Sequence, residues 1–128
     1  MAEADDRTAT PPIRANRDQI RTLRVRADFV RLRRGRRVER PGFLLQVGEG
    51  VPDAARFGIT VTKKIGNAVA RNRIKRRFRA AIREAAPGLA QVGRDHVLIA
   101  RPGAADRPFP ALLDDLRSAL LDANRPRG

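Results

Sequence analysis

The sequence contains no cysteine, no tryptophan and no tyrosine, and only one histidine. Without cysteine there can be no disulfide framework, no thiolate chemistry and no zinc ribbon. The single imidazole, His96, excludes multi-histidine metal sites and leaves little for histidine-based acid–base catalysis. Long apolar runs are also missing. They reach only a few residues, as in Phe43-Leu44-Leu45 and Val97-Leu98-Ile99-Ala100, so nothing reads as a helical membrane span or a signal peptide. The third scarcity is acid: 14 Asp+Glu stand against 28 Lys+Arg in 128 residues, a net charge of +14 and a pI near 11.8. Such a balance points to a polyanion partner, nucleic acid first.

What is present suffices for one modest core. Hydrophobic residues make up 41% of a chain whose length suits a single domain, expected to be soluble and cytoplasmic. Residues 21–40 carry nine Arg against Asp28 and Glu39, and residues 54–83 carry ten cations and no acid. A solvated helix face usually alternates signs to gain i,i+4 pairs, so thirty acid-free residues favour phosphate binding over an ordinary charged surface. Residues 1–20 are slightly acidic, hold Pro11-Pro12 and lack apolar periodicity. They are expected to form a disordered tail, dispensable for folding and activity, before a single RNA-binding domain over 21–124.

Periodicity predicts a short helix over 27–34, strands over 43–47 and 56–62 joined by a hairpin loop, a long helix over 67–86, a buried strand over 97–100, and a last helix after Pro108 and Pro110. In the long helix Ile74, Phe78, Ala81, Ile82 and Ala85 fall in one stripe, with Asn72, Lys75, Arg76, Arg79 and Arg83 opposite. Period-two counting puts Phe43, Leu45, Val47, Phe57, Ile59 and Val61 on one sheet face. Leu44, Gln46, Gly58, Thr60 and Thr62 fall on the other, a small and mostly polar face expected to stay free of helices. The order is that of an α+β protein, a small two-layer α/β sandwich with a roughly four-stranded sheet and three helices.

The chemistry concentrates in Lys63-Lys64-Ile65-Gly66-Asn67-Ala68-Val69-Ala70-Arg71-Asn72-Arg73-Ile74-Lys75-Arg76-Arg77-Phe78-Arg79. A strand ends in two Lys, a Gly turn follows, Asn67 can cap a helix, and the first turns of that helix are crowded with Arg. A helix N-terminus presents free N–H groups and a positive dipole end to phosphate, and Arg adds a planar fork of donors. Neither His96 nor the adjacent Asp114 and Asp115, which diverge by about 100° on a helix, forms a catalytic set. Phe57 and Phe78 sit on apolar stripes and read as core, whereas Phe29 reads as a core anchor of the first helix unless a ligand claims it. A DNA-reading helix-turn-helix is disfavoured because a strand, not a helix, precedes 67–86. A ribosomal RNA-binding protein would share the basic, aromatic-poor composition.

The KKIGNAVARNRIKRRFR stretch resembles the signature of the bacterial ribonuclease P protein subunit, with its RNR motif at Arg71-Asn72-Arg73. LRVRADF at 23–29, GFLLQV at 42–47, RFGITVTKK at 56–64 and DHVLIAR at 95–101 extend the resemblance to roughly residues 22–122. It implies a left-handed β-α-β crossover and a protein that binds a catalytic RNA and the 5′ leader of precursor tRNA. Leader removal is then catalysed by the RNA with Mg²⁺, held mainly by the RNA and substrate phosphates. No residue of the chain is catalytic or a metal ligand, and no protein partner or membrane is required. By matching position, Lys63, Lys64, Arg71, Arg73, Arg76 and Arg77 would face the catalytic RNA. Phe29, Leu44, Gln46, Thr60, Asn72, Lys75 and Arg79 would lie on or beside the leader cleft. One departure is Arg33, where the family usually has a second aromatic; its guanidinium plane can partly replace a ring in stacking.

The charge distribution predicts steep salt dependence. If the two basic blocks neutralise on the order of 6–10 phosphates, affinity for a duplex-like RNA drops by ~10³–10⁵ between 50 and 200 mM salt. A nearly flat salt titration would contradict phosphate-driven binding.

Overall fold

The computed structural model describes residues 13–125. Its strands are β1 (Ile20–Thr22), β2 (Arg36–Arg40), β3 (Phe43–Glu49), β4 (Ala55–Thr60) and β5 (Arg94–Ala100). Its helices are α1 (Arg26–Arg31), α2 (Ala68–Ala85) and α3 (Phe109–Ala123). The sheet order is β1-β4-β5-β3-β2. β4 and β5 are parallel neighbours joined through α2, β1 runs parallel to β4, and β3 is antiparallel to both β5 and β2.

The main core lies between one sheet face and the pair α2 and α3. The predicted α2 stripe, Ile74, Phe78, Ala81, Ile82 and Ala85, is the buried set of that helix. The helix starts as expected, with Asn67 Oδ1 accepting from Ala70 N at 2.9 Å, and beyond its end Gly88 adopts φ +83°, a left-handed conformation that suits glycine. Leu112, Leu113, Leu116, Ala119, Leu120 and Ala123 of α3 are likewise buried. From the sheet come Phe43, Leu45, Val47, Phe57 and Leu98, and Phe43 meets Phe78 edge-on with ring centroids 6.1 Å apart.

The structure corrects three expectations. The sheet has five strands rather than about four. β1 is only three residues long, and β2 reads as a charge run because Val38 is its only buried side chain. Both are edge strands, where charged side chains are ordinary. Arg36 and Arg40 of β2 lean onto α3: Arg36 donates to the main-chain carbonyls of Ala123 and Arg125, and Arg40 to Asp122 at 2.6 Å and Ser118 at 2.9 Å.

Second, the opposite sheet face is not free of helices. Leu44 and Gln46 are only 4% and 3% exposed. A small second core of Leu23, Leu32 and Val97, with Phe29 and Ile99 against it, covers the middle of this face. The small residues that suggested an open surface are a docking groove. A Cβ at Gly48 would stand 2.6 Å from Leu32 Cδ2, and one at Gly58 2.4 Å from Phe29 Cζ. Two glycines thus let α1 lie directly on the sheet.

Third, residues 1–12 of the expected tail lie outside the described residues, while 13–20 are tied to the domain at Ala15, the other residues of that stretch being exposed or half-buried. Ala15 is fully buried, its N–H donates to the Ala90 carbonyl at 2.7 Å, and its own carbonyl accepts from Gly88 N at 2.9 Å. Asn16 and Gln19 form a reciprocal capping box around a short 3₁₀ turn leading into β1. A small buried alanine carries no periodicity, so sequence pattern could not reveal it. A chain beginning at Ile20 is therefore expected to melt below one beginning at Ile13, by roughly 1–3 kcal/mol for the buried groups left unpaired. Equal denaturant midpoints for the two would show that 13–19 adds nothing to the fold.

Candidate nucleic-acid interface

Helix α2 is divided lengthwise by its own packing. With Phe78 near the centre of the buried stripe, steps of about 100° per residue put Lys75 and Arg79 on one flank and Arg73 and Arg77 on the other, with Arg76 facing outward. The two flanks meet different surroundings.

On the first flank, Lys75, Arg79 and Arg83 form one wall of a cleft of about 520 Å³. Arg21 and Arg24, from β1 and the turn after it, stand on the other side, above a floor that includes Leu23, Phe57, Ile59 and Ile82. Phe29 closes one end, its ring seated over Gly58. Beyond that ring lies a second cleft of about 380 Å³, lined by Phe29, Arg33, Arg37, Gln46, Thr60, Thr62, Val97 and Ile99. Phe29 is half-buried and borders both clefts. The ring therefore packs on the sheet and at the same time lines both clefts.

On the other flank Arg73 is exposed, as is Arg76 on the outward ridge between the two. Arg77 is half-buried and turned toward α3, where it donates to the Arg107 main-chain carbonyl. Arg71 is also half-buried and leans back toward the Asn67 carbonyl, Nε to oxygen 3.4 Å. Lys63 and Lys64 are exposed on a 3₁₀ turn, Lys63–Ile65, just ahead of the α2 N-terminus. No acid lies in the first turn of α2 to neutralise that end. Among the described residues, no cation from Lys63 to Arg83 pairs with a carboxylate.

The structure therefore gathers Phe29, Gln46, Thr60, Lys75 and Arg79 around the two clefts. Leu44 does not reach either cleft: it is buried between its strand neighbours, opposite Glu39 and Ile99. Asn72 is exposed beside the larger cleft without lining it. Sequence reasoning missed Arg21, Arg24 and Arg37 as individual lining residues, although their basic block over 21–40 was the signal.

It also missed a buried ionic cluster under α1. Asp95, fully buried at the start of β5, accepts from both ends of the Arg56 guanidinium at 2.8 and 2.6 Å and from Arg31 at 2.8 Å. Asp28 adds a 3.2 Å contact to Arg31. Burial alone would raise the Asp95 pKa, but the hydrogen bonds from Arg56 and Arg31 outweigh it and hold the carboxyl below the ordinary carboxylate range. Next to it, His96 is buried and stacked flat on Phe57, centroids 4.1 Å apart. Its Nδ1 lies 3.0 Å from the Arg56 carbonyl and Nε2 has no partner, a structural role. Asp115 binds Arg107 at 2.5 Å while Asp114 points to Arg117, so the two do not act as a pair.

A five-stranded α/β sandwich that presents free cations on both flanks of one helix, with aromatic-walled clefts beside it, has the form of a polyanion-binding protein. Comparison narrows this further. Residues 18–124 match the family profile described as Ribonuclease P. The ribonuclease P protein component of Erythrobacter litoralis (strain HTCC2594) is 47% identical over 111 residues, covering 87% of this chain and 92% of that protein. That of Ruegeria pomeroyi (strain ATCC 700808 / DSM 15171 / DSS-3) is 46% identical over 112 residues, covering 84% and 90%. Among solved structures, the ribonuclease P protein from Thermotoga maritima superposes with a TM-score of 0.70 at 28% identity, over 84% of this chain and 98% of that one. The Staphylococcus aureus protein gives a TM-score of 0.67 at 30% identity, over 80% and 94%. The chain belongs to the bacterial ribonuclease P protein family, the protein component of a tRNA-processing endoribonuclease.

His96 generates a pH prediction. Burial lowers its pKa to about 4, so the folded protein keeps the ring neutral, while the unfolded chain protonates near pH 6.5. Stability is complete above that value and falls as pH drops from about 6.5 to 4, by about 3 kcal/mol in all. Asp95, whose pKa is depressed, adds its loss only at lower pH. Thermal melts between pH 8 and 4 should show the first decline, and His96→Phe, which retains a ring against Phe57, should flatten it. An unchanged slope in that variant would assign the effect to another group.

Proposed function

We propose that the chain binds the catalytic RNA of ribonuclease P with one flank of α2 and the single-stranded 5′ leader of precursor tRNA with the other. The observation that carries this reading is the division of α2. The Lys75–Arg79 flank lines a cleft that the Phe29 ring borders, and the Arg73 flank, with Arg76 on the outward ridge and with Lys63 and Lys64, is exposed away from it. A cleft combining cations, an aromatic ring and an apolar floor suits a single strand, whose phosphates and bases need those two kinds of contact. An outward basic ridge at a helix N-terminus suits the backbone of a folded RNA.

The hydrolysis itself is carried by the RNA. Among the described residues, no group of three His, Asp or Glu side chains is placed to hold a metal ion. The Mg²⁺ that supports phosphodiester hydrolysis is held by RNA and substrate phosphates, and this chain's residues supply charge and position. No described helix is long and apolar enough to cross a membrane, and the work proposed here belongs to the cytoplasm, where precursor tRNA is made.

Two substitutions separate the surfaces. Arg73→Ala removes a charge-assisted contact, worth about 1.5–3 kcal/mol, and is expected to weaken assembly with the catalytic RNA whatever the substrate. Phe29→Ala removes a stacking platform of roughly 1–3 kcal/mol per base. Its penalty should appear with a leader of several nucleotides and vanish with a leader of one. Circular dichroism melts accompany both, because Phe29 also packs on the sheet. A Phe29→Ala protein that loses catalytic-RNA binding and leader binding alike would place the leader elsewhere.

A further inference from the structure

We propose that Asp95 is a positioning residue for the leader cleft, acting through Arg31 to hold α1 and its Phe29 ring against the sheet. The inference rests on the proposed leader function and explains what sets that cleft's geometry. α1 is six residues long and has no side-chain cap at its N-terminus, so its place depends on what it is tied to. Three contacts run inward from α1 and the turn that continues it. Phe29 sits over Gly58, Leu32 sits over Gly48, and Arg31 reaches Asp95. The first two are apolar and seat side chains over glycines of the sheet, with no hydrogen bond to set direction. The third is directional. Arg31 donates to Asp95, to Asp28 on its own helix and to the Glu49 main-chain carbonyl, and Asp95 is anchored in turn by the two-point fork from Arg56 on β4.

Asp95 is the one fully buried carboxylate among the described residues of a strongly basic chain. Its site is shaped for it: a Cβ at Gly50 would stand 2.3 Å from Asp95 Oδ1. Buried ion clusters often stabilise little compared with apolar side chains of similar volume, and in some proteins they fix geometry instead. Phe29 and Arg31 share the same short helix, so what ties Arg31 down also ties down the segment that carries the ring.

The test uses the full chain assembled with ribonuclease P RNA and precursor tRNA carrying leaders of one or several nucleotides. Arg31→Ala cuts the link to α1 while leaving the Asp95–Arg56 fork intact, and so guards against the possibility that Asp95→Asn fails to fold. Arg31→Ala should weaken long-leader binding by about fivefold to twentyfold, a fraction of what one stacked base contributes, and leave one-nucleotide-leader binding unchanged. Since Arg31 is not itself a phosphate contact, the salt slope should not move. Loss of one such contact would lower it by ~0.7 for a single strand. In a Phe29→Ala background, Arg31→Ala should add less than about twofold, the non-additivity of two residues acting as a unit. Equal losses for both leaders, full additivity with Phe29→Ala, or a reduced salt slope would each overturn the assignment. If Phe29→Ala is leader-dependent and Arg31→Ala is not, only this proposal fails. If Phe29→Ala is itself indifferent to leader length, the leader reading fails and takes the proposal with it.

Discussion

The contact on which this structure depends is the burial of Ile74, Phe78, Ala81, Ile82 and Ala85 against the sheet. It fixes the rotation of α2 about its own axis, and that rotation decides where every cation of the helix points. A turn of about 100°, one residue's step, would carry the Lys75 flank out of its cleft and the Arg73 flank into the protein. The helix pays a cost for its sequence, since cations spaced i,i+4 without acids repel by tenths of a kcal/mol per pair. The apolar stripe offsets that many times over, at roughly 1.5–3 kcal/mol for each large side chain buried.

Charge is sorted by task. Arg36 and Arg77 hold main-chain carbonyls, and other structural arginines are met by an acid: Asp95 with Arg31 and Arg56, Asp122 with Arg40, Asp115 with Arg107. These pairs lock α1 to the sheet, β2 to α3, and the turn before α3 to α3 itself. The cations from Lys63 to Arg83 are left unpaired with acids and available to a polyanion. A chain of net charge +14 can therefore fold, because its few acids stand where compaction requires them and not where binding does.

Much of this was legible from sequence, and the failures have identifiable causes. The stripes of α2 and α3 and the Asn67 cap follow from helical spacing and local chemistry, both encoded within a few residues. The edge strands were not legible: β1 is three residues long, and β2 hides Val38 among arginines that use their stems to pack and their tips to bind α3. Gly48 and Gly58 read as features of an open face because a glycine gives no sign of what will fill the space above it. The Asp95 cluster joins groups 39 and 64 residues apart, beyond any local pattern. On α2, periodicity separated the buried stripe from the cationic side, whereas the assignment of each cation to an RNA came only from the family resemblance. Leu44, on a strand with both faces covered, was assigned to a surface from which burial removes it.

The central claim is that one helix serves two RNAs, one on each flank. Because the chain has no native cysteine, a single cysteine at position 79 or 73 gives a unique point for a short photoactivatable cross-linker. The decisive measurement is cross-linking from each position in the assembled enzyme, with a precursor tRNA whose leader is several nucleotides long. The account predicts that position 79 marks the leader and position 73 the catalytic RNA. The same RNA labelled from both positions would contradict it.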